Sequence, residues 1–413
     1  MKDRVVAAVM FAWGALSLSA QAAETTVIAQ QEVALVATAG DLILPSAIYG
    51  TRGDAMEQVE EVTGKVAAML KAGNLKVGDL MRHTIFLKAG SQEPAKIFTR
   101  LIGNLRRMGP ELTNNPTAGT IVVVPSFPDP NTQLMVELVG GRAPNGMTRV
   151  PIMFGPRMSV ESIGNERFVA SFGLEGLDFY GTGMHQIENL EQEIELMVGN
   201  LGAVLGHAGL TLANVVSYNL YVTTGTDPVD TTAKLHQYMR QRLPEINNHP
   251  GSGTVVVLNG ATLPSLRVQM SIIASRSKPA DIARVPQGEV PSDTAARSVT
   301  ASNVTFVSGM GGVEYAKNGV IADDMASQAK AAAGSLQSVL SNAGGLKLSD
   351  VARFDIYIRD GESAADAVNA FYKAARALDS SFDPKRASAV VAMVQGFPRA
   401  SSKILVSAIA ARK

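Results

Sequence analysis

The sequence predicts an α+β protein assembled from three tandem copies of one unit, and three observations carry that prediction. A segment recurs: "LKVGDLMRHTIFLKAG" (75–90), "LTLANVVSYNLYVTTG" (210–225) and "LKLSDVARFDIYIRDG" (346–361) share a polar turn followed by a strand that alternates apolar and polar residues. Ahead of each lies a helical stretch, at 54–73, 188–209 and 323–345, with apolar residues at three- and four-residue spacing. Behind each comes the same series of a second helix, a strand that starts at a proline, and a closing strand.

Each element follows from its local pattern. The units open on apolar strands, "GDLILPSAI" (40–48), "ERFVASFG" (166–173) and "SNVTFVSGMGG" (302–312), and the second helices fall near 94–108, 229–242 and 363–378. Next come "NPTAGTIVVV", "HPGSGTVVVL" and "DPKRASAVVAM", and then the closing strands at 132–139, 265–274 and 401–411. Helices gathered on one face of a mixed sheet give an α+β unit, whose other face must be buried elsewhere. Three copies in one chain can bury those faces against one another, as central sheets or a barrel with helices outside. The expected division is 1–22 as a leader, then units at 23–148, 149–280 and 281–413. The links "GGRAPNGMTRVPIMFGP" (140–156) and "SRSKPADIARVPQGEVP" (275–291) have the Pro/Gly-rich, polar character of connectors.

Composition narrows the function. Across 413 residues, Lys plus Arg and Asp plus Glu number 37 each, so the field that gathers a polyanion is missing and nucleic acid is not an expected partner. The absence of cysteine removes disulfides, thiolate metal sites and cysteine nucleophiles. Lys2 and Arg4, an apolar run and Ala20-Gln21-Ala22 read as a secretory signal peptide cleaved near Ala23, so the mature chain is expected in the periplasm or outside the cell, with no membrane partner. The five histidines never fall at metal spacing, and no phosphate-loop pattern follows a strand; no metal or cofactor is expected. His83 and His236 are expected at the surface, and His185 in "GTGMHQ" is a modest proton-shuttle candidate.

The recurrent segment, the Pro-initiated strand and the terminal "ILVSAIAARK" resemble the RidA/YjgF/UK114 family of imine and enamine deaminases, three times over. The resemblance implies a chorismate-mutase-like fold. Family members are single units that form homotrimers with clefts between subunits, so this chain would be an intramolecular pseudo-trimer and a monomer in solution. Fusion in tandem lets each cleft diverge, which identical subunits forbid.

By the same resemblance, Arg386 is the family arginine that grips a substrate carboxylate, a task suited to the bidentate guanidinium fork. Its counterparts in the first two units are read as Ala118 and Ser252. The competing reading pairs Arg386 with a local acid, Asp383 or Asp379. Asn369, seventeen residues earlier, has the spacing of a family cleft asparagine. Ser308 matches the serine whose hydroxyl holds a substrate oxygen or a water, with Ser46 and Ser171 read as its counterparts. Gly309 would let backbone approach a ligand, and Ser388 stands where relatives carry cysteine or threonine. Two departures stand against hydrolysis. Leu405 occupies the position of the water-activating glutamate, and a leucine moves no proton; Ala295 lies nearest the family tyrosine. Glu137 is not an expected replacement. Three readings follow: an exported imine/enamine deaminase with a carboxylate at Arg386 and a water near Ser308, a periplasmic binding or accessory protein for a small carboxylate or amide-containing metabolite, and, last, an amidohydrolase of a cyclic ureide.

Overall fold

The computed structural model describes residues 33–109, 112, 117–154, 157–177, 187, 189–242, 251–261, 263–285, 296–314 and 320–412. The leader, Ala295, His185 and His249 lie outside these residues.

The same plan appears three times. In the third unit the sheet runs in the order Ala283–Val285, Ser298–Ala301, Val304–Gly311, Ile404–Ala411, Val351–Arg359, Ser388–Val394. The middle strand Val351–Arg359 pairs antiparallel with the closing strand and parallel with Ser388–Val394. Leu80–Lys88 and Val215–Thr223 hold the same place in the first and second units. Two helices cover each sheet: Ala55–Ala72 with Pro94–Met108, Leu190–His207 with Pro228–Arg242, and Met325–Asn342 with Ala364–Leu378. The first helix of each pair is started by a short polar side chain that accepts from the first turn: Asp54 from Met56 N and Glu57 N, Asn189 from Gln192 N, Asp324 from Ser327 N.

A shared polar clamp then fixes helix to sheet. Gln58 Oε1 accepts from Gln133 N at 2.8 Å and Leu134 N at 3.1 Å. Glu193 Oε1 accepts from Arg267 N at 2.8 Å and Val268 N at 3.0 Å, and Gln328 Oε1 accepts from Lys403 N at 2.7 Å. Each clamp residue is buried on its helix and satisfies backbone donors where the closing strand begins.

The three sheets turn their free faces inward. They remain separate sheets and no closed barrel forms, because hydrogen bonds cross between units only locally: Gly260–Ala261 of the second unit pairs with Val122–Val123 of the first, and Val257 bridges to Gly396 of the third. The middle strands, covered by helices on one side and by the other units on the other, are buried along nearly their whole length in the first and third units. That double cover corrects the expected exposure of His83, and the expected exposure of His236 is corrected because its helix, Pro228–Arg242, turns it onto Tyr218 of the sheet. His83 and His236 are fully buried, with His83 Nδ1 2.7 Å from Thr117 Oγ1 and His236 Nε2 2.7 Å from the Tyr218 hydroxyl. Burial lowers each imidazole to about 3. The expected connectors are also more ordered than their composition suggests, since Thr148–Phe154 and Ala283–Val285 are strands of the second and third sheets. No helix among the described residues is long and apolar enough to cross a membrane.

Candidate functional site

The ladders fix which residues are equivalent. Arg82 faces Ala118, Ser217 faces Ser252 and Arg353 faces Ser388, so Ala118 and Ser252 correspond to Ser388 rather than to Arg386. The sequence alignment on proline erred by two residues because Pro384–Arg386 form a 3₁₀ turn between the proline and the strand. The register counterparts of Arg386 are Pro116 and Pro250, outside the described residues.

Three seams join the units in a ring. At the seam between the third and first units, Ser46 Oγ donates to Ala34 O at 2.7 Å and accepts from Ala389 N at 3.0 Å. Between the second and third units, Ser308 Oγ donates to Ala296 O at 2.5 Å and accepts from Gly253 N at 2.8 Å. The two serines do the same task one seam apart. Between the first and second units, the backbone pattern places Phe172 there: Phe172 N donates to Glu161 O as Ser46 N does to Leu35 O and Ser308 N to Arg297 O. Ser171 is therefore one residue short of the expected place, and that single step turns its hydroxyl to Phe172 O and Ile272 N.

Arg386 belongs to the seam between the third and first units. The neighbouring Ala387 O accepts from Ala34 N at 2.8 Å, and Ala389 O accepts from Ala47 N at 2.9 Å. Its side chain is exposed, and among the described residues no hydrogen bond or ion pair engages the guanidinium. The acids proposed as local partners are committed elsewhere: Asp383 accepts from Lys385 N, and Asp379 from Ser349 N and Ser381. Ser308 thus lies across a different seam from Arg386, and the serine beside Arg386 is Ser46. Asn369 is exposed on its helix and makes no hydrogen bond to Arg386. Ser388 is fully buried, its hydroxyl on Ala352 O at 3.2 Å. Gly309 is covered by Leu405, whose Cδ2 would stand 2.5 Å from a Cβ added there.

The position of the family glutamate can now be followed through all three units. Opposite the bulged opening strands, Met135 pairs with Tyr49, Gln269 with Glu175 and Leu405 with Gly311. Two of the three residues are apolar. At the seam between the first and second units, Gln269 Nε2 instead donates to Glu175 Oε1 at 2.6 Å, with both side chains buried.

A cluster that the sequence reading missed occupies the axis of the ring. Arg353 Nη2 lies 2.6 Å and Arg82 Nη2 3.1 Å from Glu137 Oε1, while Arg353 Nε lies 2.6 Å from Asp355 Oδ1. Beside them is a cavity of about 20 Å³, to whose lining the second unit adds no charged group, only Ser217, Tyr218, Asn219, Ser271 and Ile273. Burial pushes the Glu137 carboxyl up, but Arg353 and Arg82 overcome it and hold Glu137 below the usual carboxylate range. Burial raises Asp355, and Arg353 offsets only part of that rise. The signal was present: "MRHTIF" and "ARFDIY" carry arginine at one register inside strands otherwise fit for a core. Among the described residues no three His, Asp or Glu side chains are arranged to hold a metal ion.

Comparison with known proteins bears on the fold. Residues 292–411 match a family model described as Endoribonuclease L-PSP. The structure of a chorismatase superposes with a TM-score of 0.52 at 13% identity, over 81% of this chain and 93% of that one, a likeness of fold. A YjgF/YER057c/UK114-family protein from Mycobacterium tuberculosis matches at 20% identity and a TM-score of 0.26, over 32% of this chain and 99% of that one. RidA from an Antarctic Psychrobacter matches at 17% identity and a TM-score of 0.26, over 31% of this chain and 94% of that one. No curated protein matches.

Proposed function

We propose, from the premise that the third unit of this chain belongs to the RidA/YjgF/UK114 family, that the protein is an exported binder of small carboxylates acting through Arg386. The observation that carries this reading is an exposed guanidinium at a seam between units with no protein partner among the described residues. A planar, permanently charged fork with free donors suits a carboxylate oxygen pair. Binding is favoured over hydrolysis because Met135 and Leu405 stand at the register where deaminating relatives carry a glutamate, and neither moves a proton. Export is the part of the reading that rests on Lys2, Arg4 and the Ala20-Gln21-Ala22 signal. The equal numbers of acidic and basic residues argue against a nucleic-acid substrate.

A second reading has one observation in its favour. Glu175 and Gln269, in contact at 2.6 Å, bring a carboxylate to the neighbour of the glutamate register at the seam between the first and second units. Hydrolysis of a small imine by this chain would run there, with Glu175 carrying the proton.

Thermal unfolding with pyruvate tests the first reading. Millimolar pyruvate should raise the Tm of the wild type and leave Arg386→Ala unmoved. Equal shifts in both proteins, or none in either, would overturn it. Ammonium release from freshly generated imino acids, lost in Glu175→Gln and kept in Arg386→Ala, would establish the second reading instead.

A further inference from the structure

The ring has one seam that no linker crosses. The first and second units, and the second and third, are consecutive in the chain, whereas the third meets the first only through non-covalent contacts. The buried charged bonds lie at this same place, whereas the pair Arg167–Asp41 across the seam between the first and second units, at 2.9 Å, is open to solvent. Glu137 of the first unit takes Arg353 of the third at 2.6 Å, and Arg353 Nη1 donates to Leu138 O at 3.1 Å. Farther out, the Tyr49 hydroxyl donates to Val391 O at 2.7 Å and accepts from Val391 N at 3.2 Å, and Ser126 Oγ donates to Asp360 Oδ1 at 2.5 Å. The second unit reaches the axial charges by one long bond, Arg82 Nη1 to Ser271 Oγ at 3.4 Å.

We propose that Glu137 and Arg353 are a clasp that closes the ring, and that through it they act as positioning residues for the ligand site at Arg386. The ligand half of this inference rests on the carboxylate reading above; the clasp does not. Separation of the third unit from the first would leave Glu137 with Arg82 and Arg353 with Asp355, so each unit keeps its own charge partner when apart. The additional Glu137–Arg353 bond exists only in the closed ring. A buried pair of this kind is weak as a general source of stability but sensitive to loss of one partner, which suits it to selecting one arrangement. A ligand at Arg386 would contact residues from both sides of that seam, so ligand binding and closure must favour each other.

Amide hydrogen exchange reads the two halves separately. The seam donors Ala34, Ala47, Ala389 and Val391 report on closure. Gly253 and Ala296 report on the seam between the second and third units in the same molecule, and also on whether a variant has folded. In Glu137→Gln the first group should exchange about tenfold faster or more while the second group keeps the wild-type rate. Arg353→Lys, which keeps the charge but loses the fork, should fall between. A disulfide joining Ser126→Cys and Asp360→Cys, in a chain that has no other cysteine, should restore slow exchange to Glu137→Gln. Equal acceleration at both seams, or no rescue by the disulfide, would overturn the clasp. Pyruvate should slow exchange at the first group in wild type and in Glu137→Gln. Faster exchange in the variant with no pyruvate protection in either protein would sustain the clasp and overturn its coupling to a carboxylate, while the Tm shift of wild type against Arg386→Ala decides the carboxylate reading itself.

Discussion

The seam between the third and first units and the seam between the first and second share one backbone register but differ in what they place there. At the first, Ser46 bridges two backbone groups beside the open Arg386, and the glutamate register holds Met135. At the second, Phe172 fills the serine position, and Gln269 meets Glu175 in a buried pair. One seam offers an open cation and no acid at the glutamate register; the other offers an acid beside that register in a closed setting. In a homotrimer every seam must carry every residue, so cation and acid would face each other three times. Fusion lets the two chemistries separate, and the difference shows that the backbone pairing is what the repeat preserves.

Three experiments would break or sharpen this comparison. The largest effect is expected on the axis: Arg353→Met leaves Glu137 and Asp355 without their closest cation and should lower stability by about 3–5 kcal/mol. Ser271→Ala, on the long contact to the second unit, should cost less than about 1 kcal/mol. Similar losses in urea unfolding would mean that the axial charges do not distinguish the seams.

Acidity should act next, and unevenly. His83 lies on the middle strand of the first unit, where Tyr218 and Phe354 hold the equivalent places in the other two, and His236 lies on the second helix of the second unit. Burial depresses both imidazoles from 6.5 to about 3, so the unfolded chain binds protons more readily than the fold. Their contribution is complete above the unfolded value and is lost as pH falls from about 6.5 toward 3, on the order of a few kcal/mol for each imidazole. His83→Phe should flatten urea stability between pH 7.5 and 4.5; an unchanged slope would remove His83 from the account.

The smallest effect separates the two serines. Ser46→Ala and Ser308→Ala each remove a hydroxyl that links two backbone groups, and each should lose about 1–2 kcal/mol. Only Ser46→Ala should also reduce the Tm shift produced by pyruvate. A reduction with Ser308→Ala would return Ser308 to the Arg386 site.

Much of the fold was legible because helix period and strand pattern recurred three times: the clamp residues Gln58, Glu193 and Gln328 all sit early in the first helices that the pattern predicted. The pairing of serine with arginine was not legible. A shared motif within one unit says nothing about which neighbour that unit touches, so Ser308 was joined to Arg386 across two different seams. Residue equivalence also failed where a turn changed length, as at Pro384–Arg386, because strand register is set by the facing strand and not by the proline that precedes it. The burial of His83 escaped for a related reason. Alternation identifies a strand with one wet face, and the strand carrying His83 has none.

The helix-to-strand clamp also bears on the order in which the molecule assembles. It joins residues 75 apart in the first unit, 74 in the second and 75 in the third, whereas the Ser46 bridge to Ala389 spans 343. Contacts of shorter separation close sooner, because less chain must be brought to order before they form. Each unit can therefore mature as it leaves the ribosome, and the first must wait for the last before the ring exists. A nascent chain halted after the second unit would already hold two finished units, with the face meant for the third still bare to solvent and open to a chaperone.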